Sequence, residues 1–330
     1  MSNELDILEN DILQYDPKLL QLLLIDRSKP KRDGKSCNII WATDNYESRG
    51  EGFLENDEIS IDCISGNNGD IIQPRVRKTK EEQQARSRDK GEVFTPAWIC
   101  NAQNNLIDKE WFGGKSPFNT ETDKGWTTNT KPIPFPTKDN KTWQDYVTDT
   151  RLEITCGEAP YLVSRYDAIS GDIIPVKDRI GLLDRKLRVV SENTESEESW
   201  LEWALWAYKS TYGYEWQGDN LLLARESLLF TFADFFKDKF GKTPEKAILR
   251  EVAEIISWNL WQMDGLKGVV PNSCHDEVHE ELSLFGEANE VKTPCLGCEK
   301  DDLRKHNGIY CKIKDWSAKK TIRFIDLIKT

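Results

Sequence analysis

At 330 residues the chain is long enough for one large core or two smaller ones. Its 57 Asp and Glu against 45 Lys and Arg give a net charge of −12, which excludes a globally basic nucleic-acid coat, and no apolar run reaches membrane-spanning length. The first residues lack the basic-then-apolar layout of a secretory signal, so the cytoplasm is the expected compartment, and the eight cysteines read as thiols or metal ligands rather than a disulfide framework.

Residues 4–25 carry Leu5, Leu8, Ile12, Leu19, Leu22 and Leu23 at helical spacing, interrupted by Pro17. A polar, basic loop over 29–36 follows, and residues 38–43 and 59–64 read as strands. Residues 75–90 hold seven Lys or Arg against three acids and predict a charged helix. Pro96 suits the first turn of a helix over 97–108, with Thr95 as its cap. Residues 110–148, rich in Gly, Thr, Asn, Pro and Trp, predict a long irregular excursion.

The short apolar strand that opens at Arg151 runs into a turn at Cys156-Gly157 and then a helix-like segment. Glycine lets the backbone come close to a ligand, and amides at a helix start suit an anionic or carboxylate group. Glu153, at the strand end, can fix a ligand amino group. Residues 180–190 are apolar and basic, and residues 191–199 are an acidic, solvated connection. A second strand ends at Glu215 and is followed by a helix over 221–236. Thr243-Pro244-Glu245 open another helix, with Ile248, Val252, Ile255 and Ile256 on one face, and residues 259–264 form a third strand.

Strand, helix, strand, helix, strand is the rhythm of a parallel sheet with covering helices. Glu153, Glu215 and Asp264 then fall along its carboxyl edge, where open α/β sheets bind ligands. One such acid alone reads as a strand cap near a helix start. Three in order favour a nucleoside, the second acid holding ribose hydroxyls and the third accepting from an adenine amino group.

Over roughly residues 89–270 the chain resembles the adenine-specific DNA methyltransferases of restriction-modification systems. Gly91-Glu92-Val93-Phe94-Thr95-Pro96 is similar to the segment that begins their methyl-donor site. Leu152-Glu153-Ile154-Thr155-Cys156-Gly157-Glu158-Ala159-Pro160-Tyr161-Leu162 resembles their glycine-rich turn. Tyr212, Gly213, Tyr214 and Glu215, with Ala224-Arg225 downstream, resemble their ribose-binding strand and helix. The resemblance implies a Rossmann-like S-adenosylmethionine-dependent methyltransferase sheet with helices on both faces. It further implies a donor pocket of Phe94, Thr95, Glu153, Thr155, Cys156, Gly157 and Glu215, with Asp264 on the adenine, and DNA as the partner. Two departures stand out. Ala159 replaces the turn's second glycine, so a methyl group stands where the backbone would approach the donor. The Asn- or Asp-Pro-Pro-aromatic segment that holds a flipped adenine is absent from these residues, so no catalytic residue is nominated. The expectation is therefore the donor-binding part of such an enzyme, needing a second restriction-modification subunit or a split-gene half for catalysis. The alternative is a non-catalytic subunit that positions DNA or a partner.

Cys274, Cys295-Leu296-Gly297-Cys298 and Cys311 predict a four-sulfur structural zinc site, with Gly297 and Gly308 in the knuckle turns. The competing reading is four unconnected thiols, and His306 is a candidate replacement for one cysteine. His275 and His279 would share a helix face, as in a metalloprotease. Asp276, however, stands where such a zinc hydrolase needs a glutamate, which puts that reading last. The expected division is an N-terminal helix and strand region (1–74), a donor-binding domain (75–272), a zinc-stapled insertion (273–312) and a C-terminal strand or tail (313–330).

Overall fold

A computed structural model describes residues 9–136, 141–282 and 288–328. The predicted first helix is two helices, α1 (Glu9–Tyr15) and α2 (Pro17–Leu24), because Pro17 interrupts the first and starts the second. Asp16 caps α2 by accepting from the Lys18 amide. Leu5 and Leu8 lie outside the described residues. Residues 38–43 and 59–64 are not paired strands. Ile40 makes only an isolated bridge to Glu58, and residues 61–64 form the short helix α3 (Ile61–Ile64), capped by Ser60. The physical reason is that the segment's partners are scattered: the Ile39, Trp41 and Ala42 amides donate to the Leu24, Asp57 and Glu55 carbonyls, and Ile40 pairs with a side chain. The Gln262 side-chain amide takes both backbone groups of Ile40, accepting from its N–H at 2.9 Å and donating to its C=O at 2.8 Å, as a neighbouring strand would.

The basic segment gives α4 (Lys80–Lys90), opened by a reciprocal Thr79–Glu82 capping box and closed by a left-handed Gly91. The next helix, α5 (Ala97–Trp111), has Pro96 at its cap position, and its Ala97 amide donates to Asp167, so Thr95 does not cap it. The excursion over 110–148 is less irregular than its composition predicts. It holds a hairpin of β1 (Asn119–Thr122) and β2 (Gly125–Thr128), then α6 (Trp143–Thr148).

The centre is a parallel sheet of three strands, β3 (Arg151–Glu153), β4 (Thr211–Glu215) and β5 (Leu260–Gln262), in that spatial order. The first crossover carries α7 (Leu182–Asn193) and α8 (Glu197–Lys209), so part of the predicted acidic loop is helical. The second carries α9 (Gly218–Phe240) and α10 (Lys246–Asn259). Both crossovers step the same way across the sheet, so right-handed connections place all four helices on one face. Trp200, Phe232 and Phe236 pack there, in one core with Ile12, Trp41 and Ile59 from the N-terminal region.

The other face differs from the expected second helical layer. Tyr214 and Trp261 meet Met263, Val270, Cys311 and Ile313 in a smaller cluster. Its outer wall is the hairpin of β8 (Lys312–Asp315) and β9 (Lys320–Arg323). Before it in sequence come a second hairpin, β6 (Glu277–Leu282) with β7 (Ala288–Thr293), and the single turn α11 (Leu296–Lys300). The fold is thus mixed α/β with small sheets.

Arg225, in the middle of α9, faces the core. Its guanidinium donates to the carbonyls of Leu260, Ile25 and Leu23, tying together the ends of α2 and α10. Burial without a nearby carboxylate hydrogen bond brings its pKa down to about 9.

Candidate functional site

A cavity of 660 Å³ opens at the carboxyl ends of β3 and β4. Its lining includes Phe94, Thr95, Glu153, Thr155, Cys156, Gly157 and Glu215, seven of the eight residues expected to meet there. Asp264 is the exception. The third strand ends at Gln262, and two residues later the Asp264 carboxylate caps its own turn, accepting from the Leu266 and Lys267 amides at 3.0 and 3.2 Å. Asn272 lines the cavity instead, with Glu92, Asn220, Tyr161 and Trp216. Asn272 has φ +58, and an asparagine after a proline is the one sequence signal for that turn.

The turn itself alternates hands. Thr155, Gly157 and Ala159 all have positive φ, at +45, +53 and +62. Alternation of this kind curls amides into a concave nest that attracts negative charge. Here Glu215 answers it from the next strand, accepting from Gly157 N–H at 2.8 Å and from Gln217 N–H at 3.2 Å. Glu153 accepts from the Tyr161 and Leu162 amides, at 3.4 and 3.1 Å. Glu158 accepts from Arg75 N–H at 2.7 Å and Tyr166 O–H at 2.6 Å. Ala159 is fully buried, so its methyl group points into the core and not into the cavity.

These three carboxyl groups are hydrogen-bonded by backbone amides and a phenol, and the Lys78 charge acts on Glu158 too weakly to offset its burial. Burial therefore dominates and raises all three pKa values, that of Glu153 well above the ordinary carboxylate range. Buried Glu153 and Glu215, without an ion-pair partner among the described residues, favour a ligand that brings positive charge or several hydrogen-bond donors, although Lys90 also lines the cavity. Trp216, 36% exposed and fixed by a bond from its ring N–H to the Ala42 carbonyl, adds a flat apolar wall.

A buried ionic network anchors the rim. Arg86 grips Glu92 through two nitrogens and donates to Asp219 at 2.8 Å and Gln217 at 3.2 Å. Tyr46 donates to the same Asp219 oxygen, and Asn220 donates to Glu92. Arg86 and Lys78 outweigh the burial penalty on Asp219 and hold its pKa at about 2. The Phe94 ring lies under the Arg75 guanidinium, 4.8 Å from ring centre to carbon.

Beyond the sheet, Cys274, Cys295, Cys298 and His306 bring one ligand atom each within 4.8 Å of one another. This group can hold a metal ion. Cys311 does not join it. Entering β8, its thiol is fully buried in the smaller core and donates to the Gln262 carbonyl at 3.3 Å. His306 takes that corner, its Nδ1 lying 3.6, 3.7 and 3.6 Å from the sulfurs of Cys274, Cys295 and Cys298. Gly297 permits this approach, since a side chain there would meet the His306 ring at 2.7 Å. Burial opposes ionisation of Cys295, but the Asn307, Cys298 and Gly297 amides and the His306 ring outweigh it and bring the thiol down to about 6. Burial and the two neighbouring thiols push Cys274 up to about 12. His275 precedes β6, and His279 lies in that strand, so the helix face a metalloprotease pair requires is not formed.

Among the described residues, no helix is long and apolar enough to cross a membrane. Comparison with protein-family models, with curated proteins and with solved structures finds no match.

Proposed function

We propose that the cavity binds S-adenosylmethionine and that the chain is the donor-binding part of an adenine-N6 DNA methyltransferase of a restriction-modification or defence system. One observation carries the reading: buried Glu153 and Glu215 face a common cavity with Thr95 and Phe94, each held by backbone amides and, among the described residues, by no ion pair. Glu153 would take the donor's amino group, Glu215 the ribose hydroxyls, and Trp216 the flat face of the base. The bound donor supplies an electrophilic methyl group attached to a sulfonium. The protein's own part is to hold that cation among carboxylates and to exclude water from around it. In this reading the three-stranded sheet is part of a Rossmann-like methyltransferase sheet. DNA is the substrate, and a second chain supplies the segment that grips the flipped adenine.

The missing Asn- or Asp-Pro-Pro-aromatic segment favours one other reading, a non-catalytic donor-binding subunit that positions DNA or a partner. Calorimetry with S-adenosylmethionine tests the cavity, and absence of binding removes both readings. Tritiated methyl transfer to unmethylated DNA, with and without a candidate partner, separates them.

We further propose that the Cys274, Cys295, Cys298 and His306 group holds a structural zinc. With Zn–S about 2.3 Å and Zn–N about 2.0–2.1 Å, a tetrahedron has S···N edges of about 3.6 Å. The three Nδ1 to sulfur distances, 3.6, 3.7 and 3.6 Å, agree with that edge. All four ligands are protein groups, which leaves no open position for a reacting water.

A further inference from the structure

A second groove, also of 660 Å³, lies at the amino-terminal ends of β3 and β4, lined by Thr150, Leu152, Ser210 and Tyr212 on the sheet side. The donor cavity lies at the opposite, carboxyl ends of these strands, and the two share no lining residue. Tryptophan and lysine interleave along the groove and beyond it. The Lys209 ammonium lies 5.3 Å from the Trp206 ring and 5.8 Å from Trp316. Lys314 lies 4.2 Å from Trp316 and 5.7 Å from Trp258, and Arg27 lies 5.3 Å from the same Trp258 ring. Trp203 adds a further half-buried indole to the wall. Rings and cations thus alternate over a run of six side chains, from Trp206 to Arg27.

The local charge runs against that of the whole molecule. The chain carries −12 overall, yet residues 312–323, which build β8 and β9, hold five Lys or Arg against the single acid Asp315. Lys319 and Lys320 are exposed at the hairpin tip. A positive stripe that also offers flat aromatic faces matches a polyanion whose flat bases are free to stack. In a duplex the bases are already stacked on one another, so only an unpaired strand fits both features.

We propose that this groove binds single-stranded nucleic acid, with bases on Trp206 and Trp316 and phosphates on Lys209 and Lys314. A base arriving on an indole face displaces the ammonium resting there, which then meets the adjoining phosphate, so the cation exchanges partners instead of losing one. Held at the far end of the sheet, the strand is anchored and not presented to the donor cavity. The proposal does not depend on what fills that cavity, and its test uses no methyl donor.

The test titrates the full chain with a thymidine oligonucleotide of about ten nucleotides, following tryptophan quenching and anisotropy. The expected result is saturable quenching, loss of affinity with added salt, and competition at least about tenfold weaker from a blunt duplex or from an abasic strand of equal charge. Trp206→Ala should weaken binding about tenfold or more while Trp206→Phe restores most of it. Lys209→Glu with Lys314→Glu should flatten the salt dependence, by about 0.7 in log–log slope for each phosphate no longer neutralised. These two lysines are partly exposed, so the second variant guards against a folding defect in the first. Equal competition by the abasic strand or the duplex overturns stacking. No quenching at low salt, or quenching unaltered in both variants, overturns the groove, and the first of these results would leave it to a peptide.

Discussion

Exchange of His306 for alanine removes the only nitrogen from a set of three thiols whose sulfurs lie 3.6–3.7 Å from it. Three ligands and a water bind zinc more weakly than four protein ligands, and the penalty reaches the fold by mass action. A metal present at a thousand times its dissociation constant stabilises the folded chain by about 4 kcal/mol. At roughly 2 °C per kcal/mol, the low end for large domains, losing that contribution lowers Tm by about 8 °C. Cys311→Ser is the matched control. Its thiol bonds the Gln262 carbonyl from within the smaller core, and a serine hydroxyl can make the same bond. The assay is metal content by mass spectrometry together with melting with and without chelator. One zinc per chain is expected in the wild type and in Cys311→Ser, each melting lower with chelator. His306→Ala should be depleted and chelator-insensitive. A full complement of zinc in His306→Ala, or depletion in Cys311→Ser, would refute the Cys3His assignment.

Gly157→Val should abolish S-adenosylmethionine binding in calorimetry. At φ +53 a β-branched residue is strained, and its side chain would project towards Phe94, whose ring lies 4.0 Å from the added Cβ; unchanged affinity moves the donor elsewhere. Glu153 has a folded-state pKa raised by burial, so its contribution to stability is full below the ordinary value of 4.5 and is lost as pH climbs through the folded value. Glu153→Gln, which carries no charge, should therefore gain Tm relative to wild type between about pH 5 and about pH 8, and a constant gap across that range counts against a buried, uncompensated acid. Arg86→Met leaves Glu92 and Asp219 buried without their guanidinium, a loss of about 3–5 kcal/mol; a melting point within a degree of wild type would mean the network is already broken in solution.

Much of the central architecture could be read from residue order. Short strands ending in Glu153 and Glu215, with helices in the connections that follow them, carry the parallel sheet, and Gly157 marks the turn. Asp264 misled because strand length is set by pairing that sequence does not reveal. The ladder with β4 stops at Gln262, which frees the chain to turn and spend the acid on its own cap. Residues 38–43 form no regular ladder because their backbone bonds are divided among Leu24, Glu55, Asp57, Ile59 and the Gln262 side chain, which meet only in the fold. Cysteine spacing named three members of the group that can hold a metal, but could not tell that Cys311 leads into β8 with its thiol buried in the smaller core. Arg225 sits in a segment that resembles a ribose-binding helix, yet the carbonyls it satisfies come from helix ends brought together only in three dimensions.

Cys274 lies just before β6 and Cys295 just after β7, so a metal held by this group would fasten both feet of one hairpin. A lone two-stranded hairpin is barely stable in water, so such a clamp at its base would be what keeps the two strands paired. Chelation would then release both feet at once and loosen the strands Glu277–Leu282 and Ala288–Thr293 while the three-stranded sheet stays intact.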